Sequence, residues 1–428
     1  MRFYSVVTMF LICASAHAAV PQSKLLRFFP QSGVLWQDLA PINWVDVDSS
    51  SGVRDWNGTQ YTYNGHDAVD MAPLGFAEMD IGVPVFAALD GIVIDTHDGE
   101  YDRNTTLGAR PANYVVIAHG DGLYTRYYHL RKGSVAVKAG DAVPEGRQIG
   151  LVGSSGNSNF PHLDFAYIEN DKALETFHGA GNALESRWVS QPAMPTGPII
   201  TDFAFFDPTD NVILPNDFRR TGTFLKNTMI AWMYHGVNFP RSYTAHFTFI
   251  RPDGTTAATY SDTATFDPLN SYTWDAWDYT FFDATPVGTW KIQMRVDGVL
   301  VLEAPFAFVS NQVYIVNRPP RAITAEFRLA TGSIATCAPV CAITSPHLCD
   351  DYDYGTVRYT YLWKINGKTV RTVISAGMSD VLPKGLVKYN DKLECVITPS
   401  DGVMDGAPTT ISRIEKKNAA EPGWLGAR

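Results

Sequence analysis

The stretch from Asn113 to Leu130, NYVVIAHGDGLYTRYYHL, contains two short runs of β-branched and aromatic residues separated by a turn. The first run extends from Tyr114 to His119 and the second from Tyr124 to Leu130, with a Gly-Asp-Gly sequence between them. Runs of this length and composition, bounded by glycine and aspartate, are typical of β-strands. Similar runs occur at 83–88 and 91–95. This part of the chain therefore predicts short strands joined by turns.

The whole chain has the composition of a globular protein with several domains. Its length of 428 residues exceeds one ordinary core and predicts two to four domains. Apolar residues make up 45% and charged residues 18%, which argues against a disordered chain. The formal net charge of −10 and the absence of a basic stripe argue against nucleic acid as a partner.

The second half of the chain shows the same β texture in two further segments. A stretch rich in proline and glycine, 191–198, predicts a linker. Alternating runs at 199–312 predict an immunoglobulin-like β-sandwich. The pair Pro319-Pro320 marks a second boundary, and runs at 320–418 predict a second sandwich module.

The first 18 residues have the pattern of a cleavable export signal. Met1-Arg2 is a short basic start, the following residues to Ala14 are almost all apolar, and Ala16-His17-Ala18 fits a small–x–small cleavage site. No other stretch is long and apolar enough to cross a membrane, so we expect no membrane span after cleavage. The protein is therefore expected to be secreted or periplasmic.

Four cysteines remain beyond the signal: Cys337, Cys341, Cys349 and Cys395. An even number in an exported chain favours two disulfides, with three alternative pairings. A metal cluster is the alternative, but the irregular spacing and an oxidising compartment favour disulfides.

Histidine and aspartate residues recur in an order that suits a metal site. His66 and Asp70 form a His-x3-Asp pair, His129 ends the Tyr-x-His-Leu phrase, and His162 and Asp164 alternate along a β run. Because side chains two apart in a strand point to the same face, His162 and Asp164 can face one cleft. The same alternation predicts that Thr125, Tyr127 and His129 share a face. Three elements thus offer ligands that zinc accepts, which is what a metallohydrolase requires.

These motifs, in this order and with their glycine-rich connections, resemble the lysostaphin/LytM-type peptidoglycan metallopeptidases. The resemblance covers roughly residues 60–170. It includes the framework phrases at 82–88, 90–93, 127–130, 137–141 and 149–153.

The resemblance implies roles for five residues. His66 and Asp70 fall on two zinc ligands of the family, His129 falls on a histidine that assists catalysis, and His162 falls on a catalytic histidine. Asp164 falls on the third ligand, where the family has histidine. A carboxylate is acceptable to zinc, but a second one makes the site more anionic and makes Mn²⁺ or another divalent ion more competitive with the single Zn²⁺ ion expected.

Together with the resemblance, these observations predict a mainly β protein with the following domains. Residues 1–18 are the signal peptide, 19–60 a lead-in, and 61–190 a small antiparallel β-sheet metallopeptidase domain. Two immunoglobulin-like β-sandwich modules follow, at 199–312 and, with the disulfides, at 320–418.

The function expected from the resemblance is that of an exported zinc-dependent endopeptidase that hydrolyses peptide bonds in bacterial cell-wall peptidoglycan. The alternative is a degenerate, non-catalytic peptidase-like module that binds the wall or regulates another wall hydrolase. The C-terminal modules are expected either to bind glycan or protein or to act as spacers.

Overall fold

The computed structural model describes residues 20–206, 220–265, 272–281, 285–311, 317–328, 333, 335–345, 348, 351 and 354–416. These residues form 25 strands, one short α-helix, α1 (Phe76–Ile81), and a 3₁₀ turn at Gln22–Lys24. The predicted mainly β fold is confirmed. No helix of the described part is long and apolar enough to cross a membrane. The predicted signal peptide lies almost wholly outside the described residues, which begin at residue 20.

The first ten strands surround the predicted motifs. In chain order they are β1 (Ala40–Asn43), β2 (Val69–Ala72), β3 (Pro84–Phe86), β4 (Gly91–His97), β5 (Tyr114–Gly120), β6 (Leu123–Tyr128), β7 (Ala142–Val143), β8 (Gln148–Leu151), β9 (Leu163–Glu169) and β10 (Lys172–Leu174). Eight of them form one antiparallel sheet, the main sheet, in the order β1-β2-β9-β6-β5-β4-β7, with β10 paired to β9. Strands β3 and β8 form a separate antiparallel pair.

Alternation of side chains explains how the main sheet forms its core. In β6, Leu123, Thr125 and Tyr127 are buried while the residues between them are half-buried. Strand β5 buries Val115 and Ile117 in the same way. Central strand β9 is buried along almost its whole length because other residues cover both of its faces. The predicted lead-in contributes strand β1 to the edge of this sheet.

Strands of the predicted first sandwich form two sheets. They are β11 (Ile199–Phe206), β12 (Thr223–Leu225), β13 (Met229–Val237), β14 (Ser242–Ile250), β15 (Thr256–Thr265), β16 (Tyr272–Thr280), β17 (Gly288–Val296) and β18 (Val299–Val309). Their orders are β11-β13-β16 and β12-β18-β17-β14-β15, and β12 pairs with β18 in parallel. Rings from both sheets share one core, in which Trp232 lies 5.1 Å from Phe247 between ring centroids.

The remaining strands also form two sheets. They are β19 (Ala325–Arg328), β20 (Val340–Ile343), β21 (Arg358–Ile365), β22 (Lys368–Ser375), β23 (Ser379–Val381), β24 (Lys392–Ser400) and β25 (Thr409–Ile414), in the orders β19-β20-β23 and β22-β21-β24-β25. We call this unit the C-terminal sandwich. A disulfide between Cys341 on β20 and Cys395 on β24 joins its two sheets. This pairing leaves Cys337 and Cys349 for the second predicted disulfide, and Cys349 lies outside the described residues.

The C-terminal sandwich packs directly against the lead-in and against the turn that follows α1. The Ser379 hydroxyl donates to the backbone carbonyl of Gly33 at 2.8 Å and accepts from its N–H at 3.0 Å. The Ala376 N–H donates to the carbonyl of Gly82 at 2.9 Å. Val34 of the lead-in is buried in the sandwich's own core. The two units are therefore in intimate contact, and the domain boundaries stay predictions.

Candidate metal centre

Two adjacent strands of the main sheet bring a pair of aspartates together. Asp70 on β2 and Asp164 on β9 are direct partners in the antiparallel ladder. Side chains of directly opposed residues lie on the same face of a sheet and close to each other. The two carboxylates predicted from separate motifs therefore meet at the same place.

His66 reaches the pair from the loop that precedes β2. Gly65 has φ +77°, a conformation that glycine adopts without strain, and the chain turns there so that the His66 N–H donates to the Tyr63 carbonyl at 3.0 Å. The rings of Tyr63 and His66 pack with centroids 4.3 Å apart. His66 Nε2 then lies 3.3 Å from Asp70 Oδ2.

The donor atoms of His66, Asp70 and Asp164 fit a divalent metal ion. One ligand atom from each lies within 4.8 Å of the others, and all three residues are buried. Within the described residues, His66 Nε2, Asp70 Oδ1 and Asp164 Oδ1 lack a hydrogen-bond partner of acceptable geometry. Ligand atoms about 2.0–2.1 Å from a tetrahedral zinc ion are about 3.3 Å apart, which matches the 3.3 Å between His66 Nε2 and Asp70 Oδ2. A cation bound between them would account for these buried atoms that lack hydrogen-bond partners.

Burial and mutual repulsion set the protonation of the two carboxyls. Burial, together with the charge of Asp70 and against the effect of Arg126, raises the pKa of Asp164 to about 6. Burial acts in the same direction on Asp70, but the charges of His66 and His162 outweigh it and hold its pKa well below the ordinary value. At neutral pH both carboxyls are therefore ionised, and their charges favour a bound cation.

Two side chains outside the predicted motif positions support the carboxylates. The Asn43 amide on β1 donates to Asp70 Oδ2 at 3.1 Å. The Arg126 guanidinium forms two hydrogen bonds with Asp67, at 2.7 and 3.2 Å, and lies 3.6 Å from Asp164 Oδ1. Sequence reasoning missed Asn43 because no pattern connects the lead-in with the motifs. Arg126 lies two residues before Tyr128, and side chains two apart in a strand share a face. Because Tyr128 is the partner of Asp164 in the ladder, this alternation could have placed Arg126 on the face of the site.

His129 lies beyond the end of β6 rather than within it. Strand β6 ends at Tyr128 and His129 has φ 64°, so the alternation that we expected to orient His129 with Thr125 and Tyr127 does not extend to it. Its ring Nδ1 lies 2.6 Å from the carbonyl oxygen of Ser155. A carbonyl only accepts, so Nδ1 carries the proton and Nε2 is left with a lone pair.

His162 is held in the same way beside His129. Its Nδ1 donates to the Phe160 carbonyl at 2.7 Å, and its Nε2 lies 3.7 Å from Asp70 Oδ1. The two imidazole rings are 4.6 Å apart between centroids. Burial, followed by the neighbouring His162, lowers the pKa of His129 to about 4, so His129 is neutral at physiological pH. All five predicted site residues thus lie together in one region.

Comparison with known proteins gives a family match that includes this region. Residues 65–176 match the model of Peptidase family M23. Peptidoglycan DD-endopeptidase ShyA of Vibrio cholerae serotype O1 is 39% identical over 103 residues, 24% of this chain and 20% of the relative. Glycyl-glycine endopeptidase ALE-1 of Staphylococcus capitis is 34% identical over 99 residues, 23% of this chain and 25% of the relative.

A crystal structure of a zinc-containing peptidase from Vibrio cholerae is 28% identical, with a TM-score of 0.21, and covers 32% of this chain and 39% of its own. The chain spans only about a fifth to a quarter of the length of the two curated relatives. The segment that the family model matches, 65–176, nevertheless contains all five site residues. We conclude that residues 65–176 form a domain of peptidase family M23, to which the resemblance to lysostaphin-type peptidases pointed.

Proposed function

We propose that this chain is an exported, zinc-dependent endopeptidase that hydrolyses peptide bonds in bacterial cell-wall peptidoglycan. The observation that carries the proposal is the convergence of three buried ligand atoms, which lack hydrogen-bond partners in the described structure, with the adjacent rings of His129 and His162. The names of the relatives, a peptidoglycan DD-endopeptidase and a glycyl-glycine endopeptidase, support this substrate class.

His66, Asp70 and Asp164 are the residues that would hold the metal. Bound there, zinc would supply a Lewis acid that polarises a carbonyl and lowers the pKa of a water molecule. Asn43 fixes the orientation of Asp70 through its hydrogen bond, and Arg126 offsets part of the charge of Asp164. Such outer partners orient ligands and tune their basicity.

His129 and His162 would handle the protons. Each donates its Nδ1 proton to a backbone carbonyl, which fixes the ring and leaves Nε2 for the reacting groups. Because its pKa is low, His129 is unprotonated at neutral pH and suits the role of proton acceptor or of a hydrogen-bonding group. His162 lies beside it and suits proton delivery to the departing amine.

The test is release of new amino termini from purified peptidoglycan by the chain that begins after residue 18. We expect release that EDTA abolishes and zinc restores, and a fall of about 10²- to 10⁴-fold in His129→Ala. His246→Ala is a matched control because His246 is an exposed histidine on β14, far along the chain from the site. Failure to release amino termini with added Zn²⁺ or Mn²⁺ would contradict the proposal.

Asp164 favours a second candidate function, a non-catalytic module that binds the wall or regulates another hydrolase. The extra carboxylate lies 3.6 Å from the Arg126 guanidinium, and this ion pair competes with a metal ion for Oδ1. This alternative predicts wall binding without hydrolysis in the wild type and unchanged binding in His129→Ala. The same assay, with sedimentation of the wall fraction, separates the two functions.

A further inference from the structure

A cleft with a volume of about 630 Å³ opens between the lead-in, the segment after β10 and the C-terminal sandwich. We call it the sandwich cleft. Its walls are formed by residues 27–36, 188–193, 326–328, 340–342 and 379–381, and none of these belongs to the metal centre. The volume lies within the range of about 300–1,000 Å³ that is usual for small-molecule sites.

A buried glutamine lines this cleft with both polar atoms of its amide unused. Gln31 is 1% exposed, and among the residues that the structure describes neither its Oε1 nor its Nε2 has a hydrogen-bond partner. Its backbone is held by a β-bridge to Val85, which fixes the position of this residue in the cleft wall. A buried amide without partners costs free energy, and a ligand that offers one donor and one acceptor would recover it.

Aromatic rings form much of the remaining wall. Phe29, Trp36, Trp188 and Phe327 all line the cleft. Trp36 has φ 66°, a left-handed conformation that is uncommon for a bulky residue. Two hydrogen bonds maintain it, from the Trp36 N–H to the Leu39 carbonyl at 2.9 Å and from its indole N–H to a backbone carbonyl of the wall at 3.0 Å. Strain of this kind persists only where the surrounding structure fixes it, and such residues cluster at ligand sites.

The charged residues of the cleft are already paired. Arg27 lies 2.8 Å from buried Glu145, and Arg328 lies 2.9 Å from Glu326. The groups that the walls offer to a ligand are thus aromatic rings and the Gln31 amide, and the charged groups are compensated. This favours an uncharged ligand over a peptide that carries free carboxylates or amines.

We propose that the sandwich cleft binds a sugar chain that carries acetamido groups, as the glycan strands of a cell wall do. The apolar faces of sugar rings pack on aromatic side chains. The acetamido group offers one N–H and one C=O, which complement the amide of Gln31. The proposal adds a binding site that is separate from the metal centre and does not depend on hydrolysis.

The test is isothermal titration of the full mature chain with a soluble tetramer of N-acetylglucosamine. Wild type is expected to bind, whereas a tetramer of glucose, which lacks acetamido groups, is expected to bind at least tenfold more weakly. Gln31→Leu keeps the size of the side chain and removes the amide, so binding should weaken about tenfold or more. Its melting temperature should not fall, because replacing an unpartnered buried amide by an apolar group is neutral or stabilising.

Two controls keep the test decisive. Gln60→Leu changes an exposed glutamine outside the cleft and should bind like wild type. Phe327→Ala removes a ring from the opposite wall and should weaken binding even if Gln31→Leu were to misfold. Absence of binding by wild type, equal binding of the glucose tetramer, or wild-type binding by both variants would overturn the proposal. The probe contains no peptide bond, so these outcomes are independent of peptidase activity.

Discussion

Zinc should raise the melting temperature of the wild-type protein. Asp164→Asn should raise the melting temperature of the ion-free protein and reduce the gain from zinc. Each of the three ligand atoms without a partner costs about 1–3 kcal/mol in the ion-free protein, so the site carries roughly 3–9 kcal/mol of penalty. Zinc at a hundredfold excess over its Kd adds about 2.7 kcal/mol to the free energy of unfolding. For a domain of 150–250 residues this corresponds to a rise in Tm of about 5–11 °C.

Asp164→Asn removes one of two opposed carboxylates, and its effects on the two forms have opposite signs. The pKa of Asp164 is raised from 3.8 to about 6 in the folded protein, which corresponds to a cost of roughly 3 kcal/mol once the group is ionised. This cost grows as pH rises from about 4 to 6 and is fully present at pH 7.5. The ion-free variant should therefore melt higher than ion-free wild type at pH 7.5, while its gain from zinc should shrink.

The assay is a thermal melt of EDTA-treated, desalted protein with and without zinc, together with the zinc content by atomic spectroscopy. Asp164→His supplies an imidazole at the same position and should keep or strengthen the zinc shift. Asp121→Asn changes an exposed carboxylate in a turn and should melt like wild type. A full zinc shift in Asp164→Asn would refute Asp164 as a ligand. Equal melting of the ion-free forms would refute the cost assigned to the ionised Asp164 carboxylate, which is buried beside Asp70.

Three further changes test the packing of the chain. In Gly377→Ala the new Cβ would lie 2.2 Å from the Ser32 hydroxyl and 2.8 Å from its backbone carbonyl carbon, so urea unfolding should show a loss of about 1–3 kcal/mol. Burial raises the pKa of Glu78 to about 7, so wild-type stability should fall as pH rises from about 4.5 to 7; Glu78→Gln should remove this fall and gain up to about 3 kcal/mol at pH 8. Replacing Cys341 and Cys395, which are 54 residues apart, by alanine should cost roughly 2–4 kcal/mol in thermal unfolding.

Each of these changes has a matched comparison. Gly197→Ala meets no atom within 4 Å and should leave urea unfolding unchanged, so equal effects at Gly377 and Gly197 would contradict the clash. Glu185→Gln alters an exposed carboxyl and should leave the pH profile as in wild type; a flat profile in wild type would contradict the burial argument for Glu78. A non-reducing peptide map that lacked a Cys341–Cys395 link would contradict the inter-sheet disulfide.

The sequence could predict the metal site because local patterns determine most of it. Alternation along the extended run relates His162, which directly precedes β9, to Asp164, and the His-x3-Asp spacing relates His66 to Asp70. What alternation could not give is the register of β2 against β9, which makes Asp70 and Asp164 direct partners. Pairing register depends on contacts between segments about 90 residues apart, and no local pattern encodes it.

Other parts of the site lay outside the reach of such patterns. His129 reaches the site through a left-handed backbone conformation at a strand end, which the regular alternation of a strand cannot anticipate. Asn43 arrives on an edge strand from the lead-in, which carried no motif. The mainly β class was predictable because it follows from composition and turn residues, whereas the contact between the lead-in and the C-terminal sandwich depends on tertiary packing alone.

The hydrogen bonds from Ser379 and Ala376 to the lead-in and to Gly82 have a consequence for how a long polymer would be handled. A binding module on a flexible tether can take many positions, and its effective concentration at the second site falls as the tether lengthens. A module that packs rigidly against the M23 domain instead keeps one separation between its ligand and the metal centre. A polymer bound in the sandwich cleft would then place at the metal centre only those bonds that lie at this fixed separation from the bound segment. The distance between the cleft and the metal centre would thus set the spacing of the hydrolysed bonds.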